Sequence, residues 1–152
     1  MFYQCQELTE INLENFDTSQ VTTMKRMFTG CNSLTSLDVS HFNTSKVEDM
    51  EALFDYNWEL TILDLSSFDV SKVTIMNYMF MECFKLTSIK FGIFNTKNVK
   101  KVNAMFKGCS KLSSIDLSTF DTSNIENMNG MFSGCTSLEN IDLSNFQTSN
   151  CE

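Results

Sequence analysis

Six cysteines, one histidine and a column of carboxylates are the groups in this chain best equipped for chemistry. Cys5, Cys31, Cys83, Cys109 and Cys135 fall on a 26-residue period (31 − 5, 109 − 83, 135 − 109), with Asn57 in the one gap. Such a column could build a disulfide ladder or bind a metal. Zinc sites, however, gather thiols as C-x-x-C pairs, and one thiol per period offers no pair. A small apolar side chain repeated in a packed column predicts free, buried thiols instead. Cys151 stands in another column, otherwise Val21, Val47, Val73, Val99 and Ile125, and is expected to pack as they do.

A second column holds Asn12, Asp38, Asp64, Lys90, Asp116 and Asp142. Stacked carboxylates repel, so this ladder could hold Ca²⁺ or meet a basic partner. The plainer expectation is a solvated acidic face with Lys90 relieving part of the repulsion. His41, the single histidine, shares its column with Asn15, Ser67, Ile93, Thr119 and Asn145, which marks it as a surface residue. The many serines have no histidine to activate them, and no glycine-rich phosphate loop is present. No catalytic residue, cofactor or metal is therefore expected. Thr18, Thr44, Thr96, Thr122 and Thr148 form a further column, broken by Val70. An ice-binding ladder is one reading of it; hydrogen bonding of the hydroxyls to backbone is the better one.

All these columns come from one repeat. Met-Phe recurs at 1–2, 27–28, 79–80, 105–106 and 131–132, with Leu53-Phe54 between, so units start at 1, 27, 53, 79, 105 and 131. Three columns never vary: Phe2, Phe28, Phe54, Phe80, Phe106 and Phe132; Leu8, Leu34, Leu60, Leu86, Leu112 and Leu138; and Phe16, Phe42, Phe68, Phe94, Phe120 and Phe146. A strict period of this length predicts units that bury their apolar sides only against neighbours. Within the second unit, Leu34, Leu37, Val39 and Phe42 give L-x-x-L-x-L-x-x-F, and Ser36, Asp38 and Ser40 alternate with them as in a half-buried strand. Val21, Met24, Met27 and Phe28 fall at helical spacing. Ser45 with Glu48, and Ser123 with Glu126, have the form of capping boxes, and Gly30, Gly108 and Gly134 stand where helices end. The expected fold is a right-handed α/β leucine-rich-repeat solenoid: a single domain over 1–152 of about six strand-turn-helix repeats, curved because helices pack wider than strands.

The bulk properties exclude several roles. A net charge of −8 argues against nucleic acid as partner. No apolar run has the length of a membrane span, and no signal peptide is visible. Met1-Phe2 matches the end of a unit's helix, and Asn150-Cys151-Glu152 the start of another. The array is therefore expected to continue, or be capped, in further sequence.

The full motif, M-F-x-G-C-x-x-L-x-x-[LI]-D-L-S-x-F-[DN]-T-S-x-V-x-x-M, resembles the BspA-like leucine-rich-repeat surface proteins, and the resemblance covers the whole chain. It implies a secreted or cell-surface location and a non-enzymatic, adhesin-like role binding host or matrix components. The competing class is a structural or scaffolding repeat protein within a larger or intracellular assembly. The third and fourth units depart from the motif, and there a binding surface is expected. Trp58 and Phe84 replace residues that are Gln6, Asn32, Ser110 and Thr136 elsewhere, and Tyr56 stands where three units have glycine. Ile62, Tyr78 and Met81 are similar departures, and Lys90, Lys97, Lys100 and Lys101 carry positive charge nearby in sequence. Apolar residues in outward columns suggest a patch that a partner covers. An aromatic patch beside a basic one would suit an acidic protein or a sulfated glycan. The alternative is drift in a degenerate repeat, with Trp58 folded over the gap at Asn57.

Overall fold

The computed structural model describes residues 1–151, so Glu152 of the terminal Asn150-Cys151-Glu152 segment lies outside it. The 26-residue units stack on one another, and backbone hydrogen bonds tie each to the next. Met24, Arg26, Phe28 and Gly30 donate their N–H groups to the carbonyls of Asp49, Glu51, Leu53 and Asp55, at 2.8–3.0 Å. The same set recurs one unit on, from Met50, Ala52, Phe54 and Tyr56 to Ile75, Asn77, Met79 and Met81. Parallel bridges between Thr23, Asp49, Ile75, Lys101 and Asn127 mark this ladder from unit to unit. A second, shorter ladder ties the third unit to the fourth. There β1 (Ile62–Leu65) and β2 (Ser88–Phe91) pair in parallel, with Asp64 opposite Lys90.

The expected α/β solenoid of strand-turn-helix repeats is not what the chain forms. Among the described residues there is no helix, and β1 and β2 are the only strands. The reason lies in the backbone of the segment read as helical. Arg26, Ala52, Tyr78, Ala104 and Gly130 form a column at φ of 50–64°, and Gln4, Gly30, Tyr56, Glu82, Gly108 and Gly134 form another at 56–78°. A left-handed residue every few positions stops an α-helix, and each non-glycine one costs about 1–2 kcal/mol. The reversal aims alternate N–H groups at the neighbouring coil. Even-numbered Met24 to Gly30 bond across, while Met27, Thr29 and Cys31 close short turns onto Met24, Arg26 and Phe28. The supposed capping boxes are Asx turns: the Asn43 carboxamide oxygen accepts from the Ser45 N–H, and the Asp121 carboxylate from that of Ser123.

The apolar columns nevertheless pack as their spacing implies. Phe2, Phe28, Phe54, Phe80, Phe106 and Phe132 stack ring on ring at 5.4–6.0 Å, with neighbouring planes within 13°. Phe94 and Phe120 stack at 5.4 Å in the second phenylalanine column. Met24, Met50, Met76, Val47, Val73 and Val99 are fully buried beside them. Leu37 and Val39 point inward and Asp38 and Ser40 outward, as the alternation predicts. Burying each large side chain contributes roughly 1.5–3 kcal/mol, which offsets the left-handed backbone.

The threonine column joins coils at a corner. Thr44 Oγ1 donates to the Asp69 carbonyl (2.9 Å) and accepts from the Asp69 N–H (2.8 Å). Thr18, Thr96 and Thr122 do the same with Asn43, Asp121 and Gln147. No helix among the described residues is long and apolar enough to cross a membrane.

Candidate ligand-binding surface

The bend that leads into β1 and β2 carries three exposed aromatic side chains, Tyr56, Trp58 and Phe84. Trp58 and Phe84 occupy the same column in successive coils, 42% and 39% exposed, with ring centroids 6.2 Å apart and planes tilted by 34°. Tyr56 stands two residues before Trp58, in a left-handed conformation (φ 58°) that glycine supplies in other units. Its N–H is held by the Met81 carbonyl at 2.8 Å. Tyr78 also takes a left-handed backbone (φ 60°) and is exposed. Both conformations belong to the repeat, since Gln4 and Glu82 share the first column and Arg26, Ala52 and Ala104 the second.

Beneath Trp58 lies Asn57, which takes over the cysteine column. In the other units a thiol donates to the carbonyl of the phenylalanine 29 residues earlier: Cys31 to Phe2, Cys83 to Phe54, Cys109 to Phe80 and Cys135 to Phe106, at 3.0–3.1 Å. Asn57 Nδ2 donates to Phe28 at 2.9 Å in the same way, and to its own unit's Phe54 at 2.7 Å. Asn57 is fully buried.

Three thiols, those of Cys31, Cys83 and Cys109, are buried, as the spacing led one to expect; Cys135 and Cys151 are half-buried, and Cys5 is exposed. Burial pushes the Cys31 thiol up to about 11 and Cys83 to about 12, so neither is a nucleophile at neutral pH. Asp55, beside Asn57, is also buried, and desolvation raises its carboxyl to about 7. Its Oδ1 and that of Asn57 have no protein partner.

The acidic column is folded onto its own chain. Asp38, Asp64, Asp116 and Asp142 each accept from a serine N–H two residues on, which holds their carboxyls below the usual range. Lys90 reaches Asp64 at 3.0 Å, and with the serine bonds this takes Asp64 to about 2. In Lys90's own unit the turn is absent. Gly92 replaces the serine because its backbone passes so close to Ser66 that a Cβ would lie 2.3 Å from the Ser66 carbonyl oxygen. His41 Nε2–H donates to the Leu13 carbonyl, which occupies the imidazole in a surface contact.

The residues expected to form one binding patch fall into separate groups. Tyr56, Trp58 and Phe84 share the aromatic bend, with Met81 half-buried against Tyr56 and Tyr78 further along the ladder face. Ile62 (60% exposed) and Lys90 belong to the β1–β2 face. Lys97 follows Phe84 by 13 residues, half a unit, and Lys100 and Lys101 lead into the bridge ladder, where Lys101 pairs with Ile75 and Asn127. They line clefts with Asn98, Asn124, Glu126 and Asn150, and Lys100 is paired with Glu126 at 3.1 Å. The aromatic and basic groups therefore do not make a single surface. Gln4, Gln6 and Asn32, which line a groove of about 190 Å³ against Tyr56 and Trp58, were not singled out from sequence. Their columns are those of Tyr56 and Trp58 one and two units earlier, so the period could have found them.

Comparison with known proteins fits the repeat. The family described as "Mycoplasma protein of unknown function, DUF285" matches residues 1–91 and again 88–152, which together span the chain. The chain belongs to this family. The two DUF285 matches overlap inside the fourth unit, where β2 lies, and the stacking continues through that point without a break in the core. No curated protein and no solved structure shows significant similarity to the chain.

Proposed function

We propose that this DUF285 chain is a non-catalytic binding module, displayed at a cell surface or secreted, that captures a protein or glycan on its aromatic bend. The observation that carries the reading is the exposure of Tyr56, Trp58 and Phe84 together, in columns that are polar or glycine in the other units. Aromatic residues clustered in the open are costly to leave unpartnered and are the residues that anchor interfaces. The hydrogen bond that occupies the His41 ring and the raised thiols favour binding over catalysis. The surface location draws on the motif's resemblance to BspA-like surface proteins. Lys97, Lys100 and Lys101, which line clefts separate from the aromatic bend, would steer an acidic partner during approach and lie outside the contact itself.

The test is binding of the labelled, folded chain to animal cells and to immobilised matrix glycoproteins. Trp58→Ala/Phe84→Ala should weaken binding at least about tenfold, the loss expected of a central anchor. Lys97→Glu/Lys100→Glu/Lys101→Glu should alter mainly the salt dependence of association. Full binding by the folded double alanine variant would refute the proposal.

A further inference from the structure

The groove beside Trp58 has a chemistry more specific than a general interface. Gln4, Gln6, Thr29, Asn32, Tyr56 and Trp58 line it, and no charged side chain does, although the chain carries a net charge of −8. Its lining therefore alternates flat aromatic surface with side-chain amides. Asn32, oriented to satisfy its neighbours, donates its amide nitrogen to the carbonyls of Tyr56 (2.6 Å) and Gly30 (3.2 Å), which fixes the side chain in place. Gln4 and Gln6 add donors and acceptors on the same side. Trp58 and Phe84, 6.2 Å apart in adjacent coils, extend an aromatic platform along the stack axis beyond the groove.

An apolar ligand would cover the Gln4 and Gln6 amides without offering them partners, which is unfavourable. An anion would find no cation in the lining of the groove, and Lys85, next to Phe84, is already paired with Glu59 at 2.6 Å. A ligand with one weakly polar C–H face and a rim of neutral hydroxyls satisfies both halves of the lining. We infer that this groove binds a neutral carbohydrate, one sugar ring lying on Trp58 with its hydroxyls bonded by Asn32, Gln4 and Gln6, and the next ring reaching Phe84. The inference rests on the binding-module reading above and names its ligand class. It excludes the sulfated glycan that the lysines alone would have suggested.

Trp58 is the chain's single tryptophan, so its fluorescence reports directly on the groove. The folded chain is titrated with chitotriose, cellotriose and lactose, and with a heparin hexasaccharide as the anionic comparison. At least one neutral oligosaccharide should give a saturable spectral shift, with Kd on the order of 0.1–10 mM for so open a site. Asn32→Ala and Gln6→Ala, which keep the reporter, should weaken it at least about fivefold with an unchanged circular dichroism spectrum. No saturable response to any neutral sugar, an unchanged response in both variants, or tighter binding of the heparin fragment would each overturn the inference. The cell and matrix assay, run before and after enzymatic removal of glycans, separates the two ideas. Binding that survives deglycosylation, with no sugar response, sinks the carbohydrate and leaves a protein-binding module. Saturable sugar binding with no attachment to cells or matrix sinks the surface role alone.

Discussion

Asp55 gives the sharpest test of how these coils are held together. Its carboxyl is 7% exposed, one oxygen has no partner, and burial raises it to about 7 from 3.8. Arg26 and the Tyr56 N–H pull it down and Glu82 pushes it up, but desolvation outweighs them. A raised carboxyl means that the folded state holds its proton more tightly than the unfolded chain. Below about pH 4 both states are protonated and the group contributes its full stability. Between about 4 and 7 the unfolded chain releases the proton first, so stability falls as pH rises through that window and levels off above it. About three units at 1.36 kcal/mol each set an upper bound of about 4 kcal/mol. Relaxation of the surroundings, which gives buried sites an effective dielectric well above that of dry protein, brings this to about 2 kcal/mol.

Asp55→Asn keeps the shape and removes the charge. The variant should therefore be more stable than wild type by about 2 kcal/mol at pH 8 and equal to it near pH 3.5. Urea unfolding followed through Trp58, at half-unit steps from pH 3.5 to 8, measures both proteins on one scale. Asp64 and the other Asx-turn carboxylates run the opposite way: their lowered values add stability above about pH 4 that is lost below it, Asp64's as pH falls towards 2. Those groups are common to both proteins and cancel in the difference. A difference that is flat across pH, or one that grows toward acid, would show that Asp55 is not a buried, unpaired carboxyl.

Asn57 should tolerate only a residue that can serve the Phe28 carbonyl. Asn57→Cys, which restores the column, should change stability by less than about 1 kcal/mol, whereas Asn57→Ala should cost about 2–4 kcal/mol through two orphaned carbonyls and a cavity, both read by chemical denaturation. Gly92→Ala should cost about 2–3 kcal/mol, because the new Cβ meets Ser66 backbone that cannot swing aside as a side chain would. Alanine there without cost would mean that the coils at β2 are further apart than described.

The columns of the repeat were legible from sequence, and so was most of what is buried. Phe28, Leu34, Phe42 and Met50 are in the core because a strict period places every copy in the same environment, whatever the backbone does. The path of the backbone was not legible. Val21, Met24, Met27 and Phe28 recur at helical spacing, yet the same spacing serves a curled segment whose alternate residues face the neighbouring coil. What decides between the two is where the N–H groups go, and this depends on the unit stacked above. The one local sign was glycine at 30, 108 and 134, read as a helix end. It marks a left-handed residue inside every coil, which Tyr56 and Glu82 adopt without glycine's freedom.

That misreading also explains why the binding surface came apart. On a helix, Tyr78, Met81 and Tyr56 would be sorted by a turn of 3.6 residues, and lysines close in sequence would stay close in space. In a flattened 26-residue coil, position around the circumference decides what meets what. Neighbours instead come from the same column one unit away, as with Trp58 and Phe84, or Lys90 and Asp64. Surfaces in such a stack are built along columns. A ligand long enough to bridge two coils reads one side chain from each, and substitutions accumulate specificity unit by unit. The polar-to-aromatic changes at 58 and 84 are two successive steps of one such column. The amides at 6 and 32 precede them in the same file, so the groove and the platform form one continuous strip of four coils.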